Sequence, residues 1–322
     1  MKSVASRPPR IYNLIAEDKS IDYKPYNTME APYQQCFSRC TLDSECFSFD
    51  FTPSPPQSIH LGGQCRFYDT TYSMYTNQSR VLTTRTGTRY YSTFPKDCAD
   101  LHTMGVRQSG VYQVHLMGTF QHNVYCLMDK YGGGWTAFQR RFDGSVEFKS
   151  RGWSDFKHGF GDPYGEYYLG NEKLHLLTTG EAHDYRVIAT TYNNEINSKL
   201  IQNVVVSGEV DKYRIKYHTS SIESGGTSYG ARMRNQRFST FDNDNDDGNY
   251  ENCAQKFGAW WHSRCHDDAM NGYYKDKENY LQNSAAITWD NAGAGIHWTH
   301  WKTLYQSLRT SMLMIRPSNF RF

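Results

Sequence analysis

Apolar and polar positions alternate with a period of two in three segments of the chain, as in a strand that buries one face. The first segment, residues 47–51, is short and aromatic, and the other two span residues 185–191 and 213–218. Upstream of the first segment, Cys36 and Cys40 are four residues apart, so a helix would place both on one face. The pattern therefore predicts a helix and a one-sided strand near the amino terminus, and two further strands in the middle of the chain.

The distribution of charge and hydrophobicity excludes two classes of partner. The chain has 35 basic and 33 acidic side chains, a formal net charge of +2, which gives no electrostatic basis for binding nucleic acid or an anionic membrane surface. No uninterrupted apolar run approaches the roughly 20 residues that span a bilayer, so we expect no membrane insertion. The length of 322 residues leaves room for two domains.

Cysteines and the amino-terminal residues bear on localisation. The eight cysteines form a cluster of four followed by two pairs, a grouping that indicates disulfides made in an oxidising compartment. We therefore expect a secreted, extracellular protein. Residues 1–10 lack the apolar core of a signal peptide, so the expectation is a protein from which the signal has been removed. Asn77 begins a glycosylation sequon, Asn-Gln-Ser.

An acidic run at residues 242–248 contains four aspartates within six residues and ends in glycine. Alternating Asp and Asn side chains supply the oxygen ligands that Ca²⁺ prefers. An EF-hand is disfavoured, because a loop starting at Asp242 has Asp247 where that motif needs glycine and Cys253 where it needs glutamate. The alternative to a calcium site is a solvated acidic loop that binds no ion.

Motifs for catalysis are missing from the sequence, and we expect a protein that is not an enzyme. There is no G-x-S-x-G elbow and no H-E-x-x-H helix. His262, Cys265 and His266 would suit zinc, but a tetrahedral site usually recruits a further ligand pair at finger-like spacing. A nucleophilic Cys265 with His266 as its base would require a thiolate, which a disulfide-bonded sulfur cannot form.

Short motifs spread over the last two thirds of the sequence resemble the fibrinogen-like C-terminal domain of ficolins, tachylectins, angiopoietins and the fibrinogen chains. They are DCAD at 97–100, SGVY at 109–112, VYC at 124–126, GGGWT at 132–136, QRR at 139–141, EYYLGNE at 166–172, FSTFDNDNDDG at 238–248, NCA at 252–254, GAWW at 258–261, RCH at 264–266, MNGYY at 270–274 and MIRP at 314–317. The resemblance implies an α+β fold with a small entrance subdomain, a central, mainly antiparallel sheet, and a loop-rich subdomain that carries calcium and ligand.

The amino-terminal segment resembles a disulfide-stapled PAN/apple module, through its C-x3-C-x5-C spacing and the aromatic strand that follows. The predicted organisation is a PAN/apple-like domain at 11–86, a linker at 87–96 and a fibrinogen C-terminal-like domain at 97–318. The linker has neither collagen triplets nor heptads, so a possible homo-oligomer would have to form through domain surfaces.

The two resemblances together imply four disulfides. The implied pairs are Cys36 with Cys65, Cys40 with Cys46, Cys98 with Cys126, and Cys253 with Cys265.

Calcium ligands also follow from the resemblance. It implies side-chain donors at Asp244 and Asp246 and backbone carbonyl donors at Gly248 and Tyr250. Compared with the family pattern, this sequence has one extra residue between Asp246 and Cys253. The carbonyl donors can therefore instead be Asn249 and Glu251.

In the acetyl-binding members of the family, a ligand pocket lies next to the calcium loop. The matching positions here are Phe257, Arg264, Cys265, His266, Asn271, Tyr273 and Tyr274. One wall of that pocket is reduced to Ala-Gly-Ala-Gly at residues 292–295, and Tyr305 is the candidate to restore an aromatic contact.

The expected function is that of a secreted, calcium-dependent lectin for N-acetylated sugars such as GlcNAc, GalNAc or sialic acid, in innate recognition or cell adhesion. Its partners would be N-acetylated glycans or glycoproteins. The alternative is a protein-binding adhesion or receptor-ligand module in which Ca²⁺ is purely structural.

Overall fold

The computed structural model describes most of the sequence, with gaps at the first residues and in several loops. The described residues are 12–21, 25–42, 46, 48–54, 62–68, 82–116, 120–218, 229–248, 251–263, 265, 268–275, 295–299, 301–302 and 306–321. Six of the predicted site residues lie outside them: Asn77, Asn249, Tyr250, Arg264, His266 and Tyr305. Most of the reduced wall, residues 292–294, also lies outside them.

An antiparallel sheet of five strands and one helix form the amino-terminal part. The strands lie in the order β1-β5-β3-β4-β2. Their bounds are Tyr12–Ile21 (β1), Asn27–Glu30 (β2), Ser48–Pro53 (β3), Gly63–Tyr68 (β4) and Leu82–Thr93 (β5), and the helix α1 spans Tyr33–Leu42.

Helix α1 confirms the prediction from the cysteine spacing, because Cys36 and Cys40 are both fully buried against the sheet. A disulfide joins Cys36 to Cys65 in β4, and a second joins Cys40 to Cys46 just before β3. Under the helix, the ring of Phe49 stacks on that of Tyr91 with centroids 5.0 Å apart. Within the described residues α1 is the only helix of this part, and the two disulfides attach it to the sheet beside the small aromatic core.

Strand β3 differs from the one-sided strand that its alternation predicts. Asp50 lies between two buried phenylalanines and is itself fully buried. Its carboxylate accepts hydrogen bonds from Arg66 Nε at 2.7 Å and from Tyr68 Oη at 2.7 Å. A buried carboxylate is tolerated when it is paired in this way, so both faces of β3 are covered.

Strand β5 occupies much of the predicted linker. It continues to Thr93 and pairs with β1 and β3, so residues 87–93 belong to the sheet and not to a connection. The cause is visible in the register: Tyr91 is opposite Phe49 and is buried, which anchors an otherwise polar segment. Polar composition alone did not reveal this anchor.

In the described residues the second sheet has nine strands, and every pairing between them is antiparallel. The strand bounds are Gly110–Leu116 (β6), Phe120–Leu127 (β7), Trp135–Arg141 (β8), Phe160–Gly161 (β9), Tyr167–Tyr168 (β10), His183–Thr190 (β11), Ile196–Val206 (β12), Ile215–Lys216 (β13) and Thr310–Pro317 (β14). The order is β13-β12-β11-β14-β8-β10-β9, and the β6-β7 hairpin joins through β8. The last strand in sequence is therefore near the middle of the sheet.

Two strand predictions have different outcomes. Strand β11 confirms the alternating segment at 185–191. The segment at 213–218 contains only the two residues of β13, because Lys212 and Tyr213 have φ angles of 53° and 48° at the end of a 3₁₀ turn. A left-handed backbone cannot continue a strand, so pairing starts later than the alternation predicts.

Four short helices accompany the sheet: Cys98–Thr103 (α2), Trp153–His158 (α3), Asn171–Thr178 (α4) and Cys253–Phe257 (α5). Helices α3 and α4 pack on each other, and α4 lies against β12. Among the described residues, no helix has the length and apolar character needed to cross a membrane. The core of this part contains four tryptophans that are at most 1% exposed: Trp135, Trp260, Trp261 and Trp298.

Candidate functional site

Asp246 is the most strongly held carboxylate of the acidic loop. Its Oδ1 accepts the backbone N–H of Gly248 at 2.7 Å, and its Oδ2 accepts that of Cys253 at 2.9 Å. Partial burial raises the pKa of Asp246, and the neighbouring Asp244 raises it further. A divalent cation would relieve the repulsion between these two carboxylates and favour their charged forms.

The loop supplies further oxygen atoms around Gly248. A methyl group added at Gly248 would lie 2.7 Å from Asp246 Oδ1 and 3.1 Å from the carbonyl oxygen of Glu251, so these two oxygens converge there. In the part of the protein that the structure describes, no three His, Cys, Asp or Glu side chains form a metal cluster. A hard cation such as Ca²⁺ accepts a mixture of carboxylate and carbonyl oxygens, and this donor set fits that ion.

Two asparagines within the quoted motifs, to which the sequence assigned no role, shape the loop. The side chain of Asn245 donates to the carbonyl of Phe238 at 3.0 Å. The side chain of Asn252 donates to the carbonyl of Thr240 at 3.3 Å and accepts the N–H of Gln255 at 3.1 Å, which caps α5. Asparagine combines a donor and an acceptor in one short side chain, so the alternation of Asn with Asp was the available signal.

The other two aspartates of the run have different surroundings. Asp242 accepts the backbone N–H of Trp153 at 2.9 Å and the hydroxyl of Thr240 at 2.6 Å, and so ties the loop to the first turn of α3. Asp247 is exposed, and its backbone N–H donates to the carbonyl of Ser263 at 3.0 Å. Of the four aspartates in this run, only Asp244 and Asp246 have neighbouring carboxylates near the oxygen atoms that converge at Gly248.

Disulfides occur in both parts of the protein, two in the amino-terminal part and two in the part that contains the acidic loop. The structure contains the four pairs implied by the two resemblances: Cys36–Cys65, Cys40–Cys46, Cys98–Cys126 and Cys253–Cys265. The last pair closes the short segment that follows the acidic loop and contains α5.

Two of the predicted pocket residues lie inside the core. Phe257 and Asn271 both have 0% exposure. The side-chain amide of Asn271 donates to the carbonyl of Ala259 at 3.0 Å and accepts from Gln139 Nε2 at 3.3 Å. Because Gln139 belongs to β8 and also donates to the carbonyl of Met270 at 2.9 Å, this pair fastens the segment 270–274 to the central sheet.

Arg141 and Glu166 are buried charged residues that lie within the quoted motifs QRR and EYYLGNE, although the sequence assigned them no role. Arg141 holds the segment 270–274, and Glu166 holds the turn at 142–146. Arg141, 1% exposed, donates to the carbonyl of Gly272 and lies 4.3 Å from the ring centroid of Phe148. Burial lowers the pKa of Arg141 to about 10, while Glu166 raises it. Glu166, also 1% exposed, accepts the backbone N–H groups of residues 142, 143, 144 and 146.

Exposed aromatic rings lie near the segments that Arg141 and Glu166 hold in place. Tyr164 is 73% exposed, Tyr273 is 45% exposed and Phe142 is 36% exposed. Tyr274 donates from its hydroxyl to the carbonyl of Phe142 at 2.7 Å, and this contact joins the two segments. We call this region the tyrosine surface, made of Tyr125, Arg140, Phe142, Tyr164, Tyr273 and Tyr274.

Arg140 is the central cation of the tyrosine surface. Its guanidinium carbon lies 3.8 Å from the ring centroid of Tyr125 and 5.3 Å from that of Phe142. It donates to the carbonyl of Pro163 at 2.8 Å, next to Tyr164. Arg140 therefore links the turn that carries Phe142 to the turn that carries Tyr164.

Comparison with known proteins places the second part of the protein. Residues 94–318 match the family model for the C-terminal globular domain of the fibrinogen beta and gamma chains. The sequence is 37% identical to the human fibrinogen gamma chain over 246 residues, which are 70% of this chain and 53% of that protein. It is 37% identical to mouse microfibril-associated glycoprotein 4 over 230 residues, which are 69% of this chain and 84% of that protein.

A solved structure agrees with the sequence relatives. The fibrinogen-like globe domain of human ANGPTL6 superposes with a TM-score of 0.60 and 32% identity, over 69% of this chain and 95% of that domain. The chain spans about half the length of the fibrinogen gamma and angiopoietin relatives that it matches. Residues before 94 lie outside the matched range.

Proposed function

The protein belongs to the family defined by the C-terminal globular domain of the fibrinogen beta and gamma chains, and from that premise we propose that it is an extracellular, non-enzymatic module that binds a protein partner through the tyrosine surface. The alternative drawn from the sequence thus becomes the leading proposal. Secretion is supported by the four disulfides, which persist in oxidising compartments.

The observation that carries this proposal is the exposure of several aromatic rings beside one arginine. Tyr164 and Tyr273 are 73% and 45% exposed although large aromatic side chains mostly fill interiors. Tyrosine and arginine are enriched among the residues that dominate protein–protein binding, tyrosine because it buries a large area at small entropic cost and arginine because its planar guanidinium forms several fixed hydrogen bonds. Arg140, stacked on Tyr125, adds a fixed donor at the centre of this surface.

Calcium has a structural role in this proposal. Asp244 and Asp246 would hold the ion together with carbonyl oxygens such as that of Glu251. The bound ion would neutralise the carboxylates and fix the loop that precedes α5. Gly258 caps α5, and a Cβ added there would lie 2.4 Å from the carbonyl oxygen of Asn271, so the backbone is close to the segment that carries Tyr273 and a fixed loop would support that segment.

The amino-terminal part is proposed to be a PAN/apple-like module that provides a second binding surface. Its helix α1 is linked to β4 through Cys36–Cys65 and to the start of β3 through Cys40–Cys46, as the inner and outer pairs of such modules require.

An N-acetyl-specific lectin remains the second candidate, supported by the position of Tyr273. Lys149 Nζ lies 5.2 Å from the centroid of the exposed Tyr273 ring and donates to the carbonyl of Gln255, inside the segment closed by Cys253–Cys265, so a sugar near that segment could stack on the ring. Titration calorimetry of N-acetylglucosamine and of acetate, with calcium and with chelator, tests this candidate. Calcium-dependent heat from both ligands would favour the lectin.

A cell-binding experiment tests the leading proposal. Fluorescently labelled protein is added to intact cells in calcium, before and after protease treatment of the cells, and with free N-acetylglucosamine as competitor. Tyr164→Ala with Tyr273→Ala should weaken binding by about tenfold or more, because central aromatic contacts often contribute above about 1 kcal/mol each. Ile196→Ala, at a residue that is 67% exposed outside the tyrosine surface, is the matched control.

The outcomes separate the two candidates. Binding that is lost on protease treatment, unaffected by the sugar and weakened only by the tyrosine variants supports a protein partner. Competition by the sugar, or equal binding by the tyrosine double variant and the control, contradicts the proposal.

A further inference from the structure

Outside the candidate site, basic side chains surround the turn at residues 131–134 that leads into β8. The guanidinium of Arg186, from β11, lies 4.6 Å from the ring centroid of Tyr131. That of Arg316, from β14, lies 4.2 Å from the ring centroid of Trp135. Arg107, which follows α2, donates to the carbonyl of His102. With the exposed Lys130, these side chains form what we call the basic cluster: Arg107, Lys130, Arg186 and Arg316.

The charges of the basic cluster act on one another and on a nearby histidine. Burial, with smaller contributions from Arg107 and Arg316, lowers the pKa of His102 to about 4. Burial lowers the pKa of Arg316 to about 10, and Arg186 contributes to that decrease. The contacts of Arg107 with His102, of Arg186 with Tyr131 and of Arg316 with Trp135 place the three arginines around one turn, and the direction of these pKa shifts agrees with that placement.

Asp184 and Asp129, both among the described residues, lie beside the basic cluster. Asp184 raises the pKa of Arg316 and also accepts a hydrogen bond from Ser318 at 2.7 Å. Asp129, beside Lys130, accepts from the hydroxyl of Ser109. The basic cluster thus combines four cationic side chains with these two carboxylates, and two of its cations, Arg107 and Lys130, are exposed.

The arginines of the cluster are held in place before any ligand arrives. Arg316 donates to the carbonyl of Gly133 at 2.7 Å, and Arg186 donates to the hydroxyl of Ser198 at 2.8 Å. Stacking on aromatic rings restricts the guanidinium further, so less rotamer freedom is lost when it binds a ligand. Tyr131, 42% exposed, adds an aromatic contact at the rim.

We propose that the basic cluster docks an acidic segment of a polypeptide partner. Planar guanidinium groups bind carboxylates with paired, charge-assisted hydrogen bonds, and an adjacent exposed ring favours a polypeptide that also presents apolar side chains. The inference rests on the proposed function as a protein-binding module, and adds a second surface and the chemistry of the partner.

The test uses the full-length protein and a fluorescein-labelled octaglutamate peptide. Binding is followed by fluorescence anisotropy at about 0.02 M and about 0.5 M salt, since screening weakens contacts between exposed charges. The wild type should bind at low salt, and Arg107→Glu with Lys130→Glu should weaken binding by about tenfold or more, equivalent to at least about 1.4 kcal/mol. Arg237→Glu changes the charge at an exposed arginine outside the cluster. The affinity of this variant for the peptide should stay within about twofold of that of the wild type.

Three results would overturn the inference. They are no binding by folded wild type, equal weakening by Arg237→Glu, and tighter binding of a heparin-derived oligosaccharide than of the peptide. Near-ultraviolet circular dichroism checks folding, and Lys130→Glu alone, at an exposed side chain, serves if the double variant does not fold. If cells still bind the protein through the tyrosine surface while the peptide does not bind, this inference fails and the proposed function stands.

Discussion

At the scale of single residues, the Glu166 carboxylate is the buried anion on which the turn at 142–146 depends. It accepts four backbone N–H groups of that turn while remaining 1% exposed. Glu166→Gln replaces two acceptor oxygens by one and places an amide donor against backbone donors. We expect the free energy of unfolding to fall by about 2–4 kcal/mol, measured by urea denaturation.

Glu147→Gln is the control for Glu166→Gln, because Glu147 is exposed in the same region of the protein. Its effect should stay within about 0.5 kcal/mol. Equal stability of the two variants would show that the Glu166 network contributes little.

Asp246 gives a second prediction at this scale. Asp246→Asn removes one of two neighbouring carboxylates and weakens the acceptors for Gly248 and Cys253. We expect the increase in melting temperature on adding calcium to shrink to less than half, followed by calorimetry with calcium and with chelator. Asp247→Asn, at an exposed side chain of the same loop, should retain the increase, and an unchanged response in Asp246→Asn would place calcium elsewhere.

The burial and contacts of individual polar residues were the features hardest to predict from the sequence. Asp50 and Glu166 have the composition of surface residues, and only the positions of Arg66, Tyr68 and four backbone donors explain their burial. The role of Asn271, which contacts Gln139 across 132 positions of sequence, depends on a pairing that no local pattern encodes.

At the scale of elements, the turn before β8 depends on a left-handed backbone in a crowded place. Gly133 has a φ of 69°, and an added Cβ would lie 2.4 Å from the carbonyl oxygen of Met128 and 2.6 Å from the ring of His102. Gly133→Ala should therefore destabilise the protein by about 3 kcal/mol or more, measured by thermal or urea unfolding.

Gly105→Ala separates backbone strain from crowding. Gly105 has a φ of 97° with no atom within 4 Å of an added Cβ, so only the conformational cost of about 1 kcal/mol is expected. Equal losses in the two variants would contradict the steric argument for Gly133.

Elements with a clear local signal were predicted well. The spacing of Cys36 and Cys40 predicted α1, and alternation predicted β3 and β11. The carboxyl-terminal half of β5 was assigned to a linker, because its place in the sheet depends on the pairing of Tyr91 with Phe49 and not on its own composition.

At the scale of the whole molecule, buried neutral histidines make stability depend on pH. Burial lowers the pKa values of His102, His183 and His262 to about 4 each. An unfolded histidine titrates near 6.5, so between about 4 and 6.5 the unfolded protein binds more protons at these residues than the folded one. The stability due to these residues is present above about 6.5 and is lost as pH falls towards 4. Asp97 acts in the opposite direction, since burial disfavours its charged form and raises its pKa to about 7.

We expect the three histidines to outweigh Asp97, and the free energy of unfolding to fall by at least about 3 kcal/mol between pH 7 and pH 4.5. Urea denaturation across this range measures it. His183→Gln should flatten the dependence, whereas His158→Gln, at an exposed histidine, should not. Constant or rising stability towards pH 4.5 would contradict the argument.

The whole fold was predictable where ordered motifs cover the sequence. The motifs span residues 97–317, and the family model matches residues 94–318. The amino-terminal sheet offers only cysteine spacing and one aromatic strand, so its likeness to a PAN/apple module stays a prediction. Periodicity and spacing describe the protein alone, so they do not predict whether the proposed ligand of the tyrosine surface is a protein or a sugar.

The position of β14 has a consequence for how the protein is made. Residues 310–317 fill the gap between β8 and β11, so both of those strands lack a neighbour until this segment leaves the ribosome. Open strand edges are templates for pairing with other polypeptides. A nascent protein that already displays residues 135–141 and 183–190 therefore exposes one edge of each strand to other polypeptides until residues 310–317 have been synthesised.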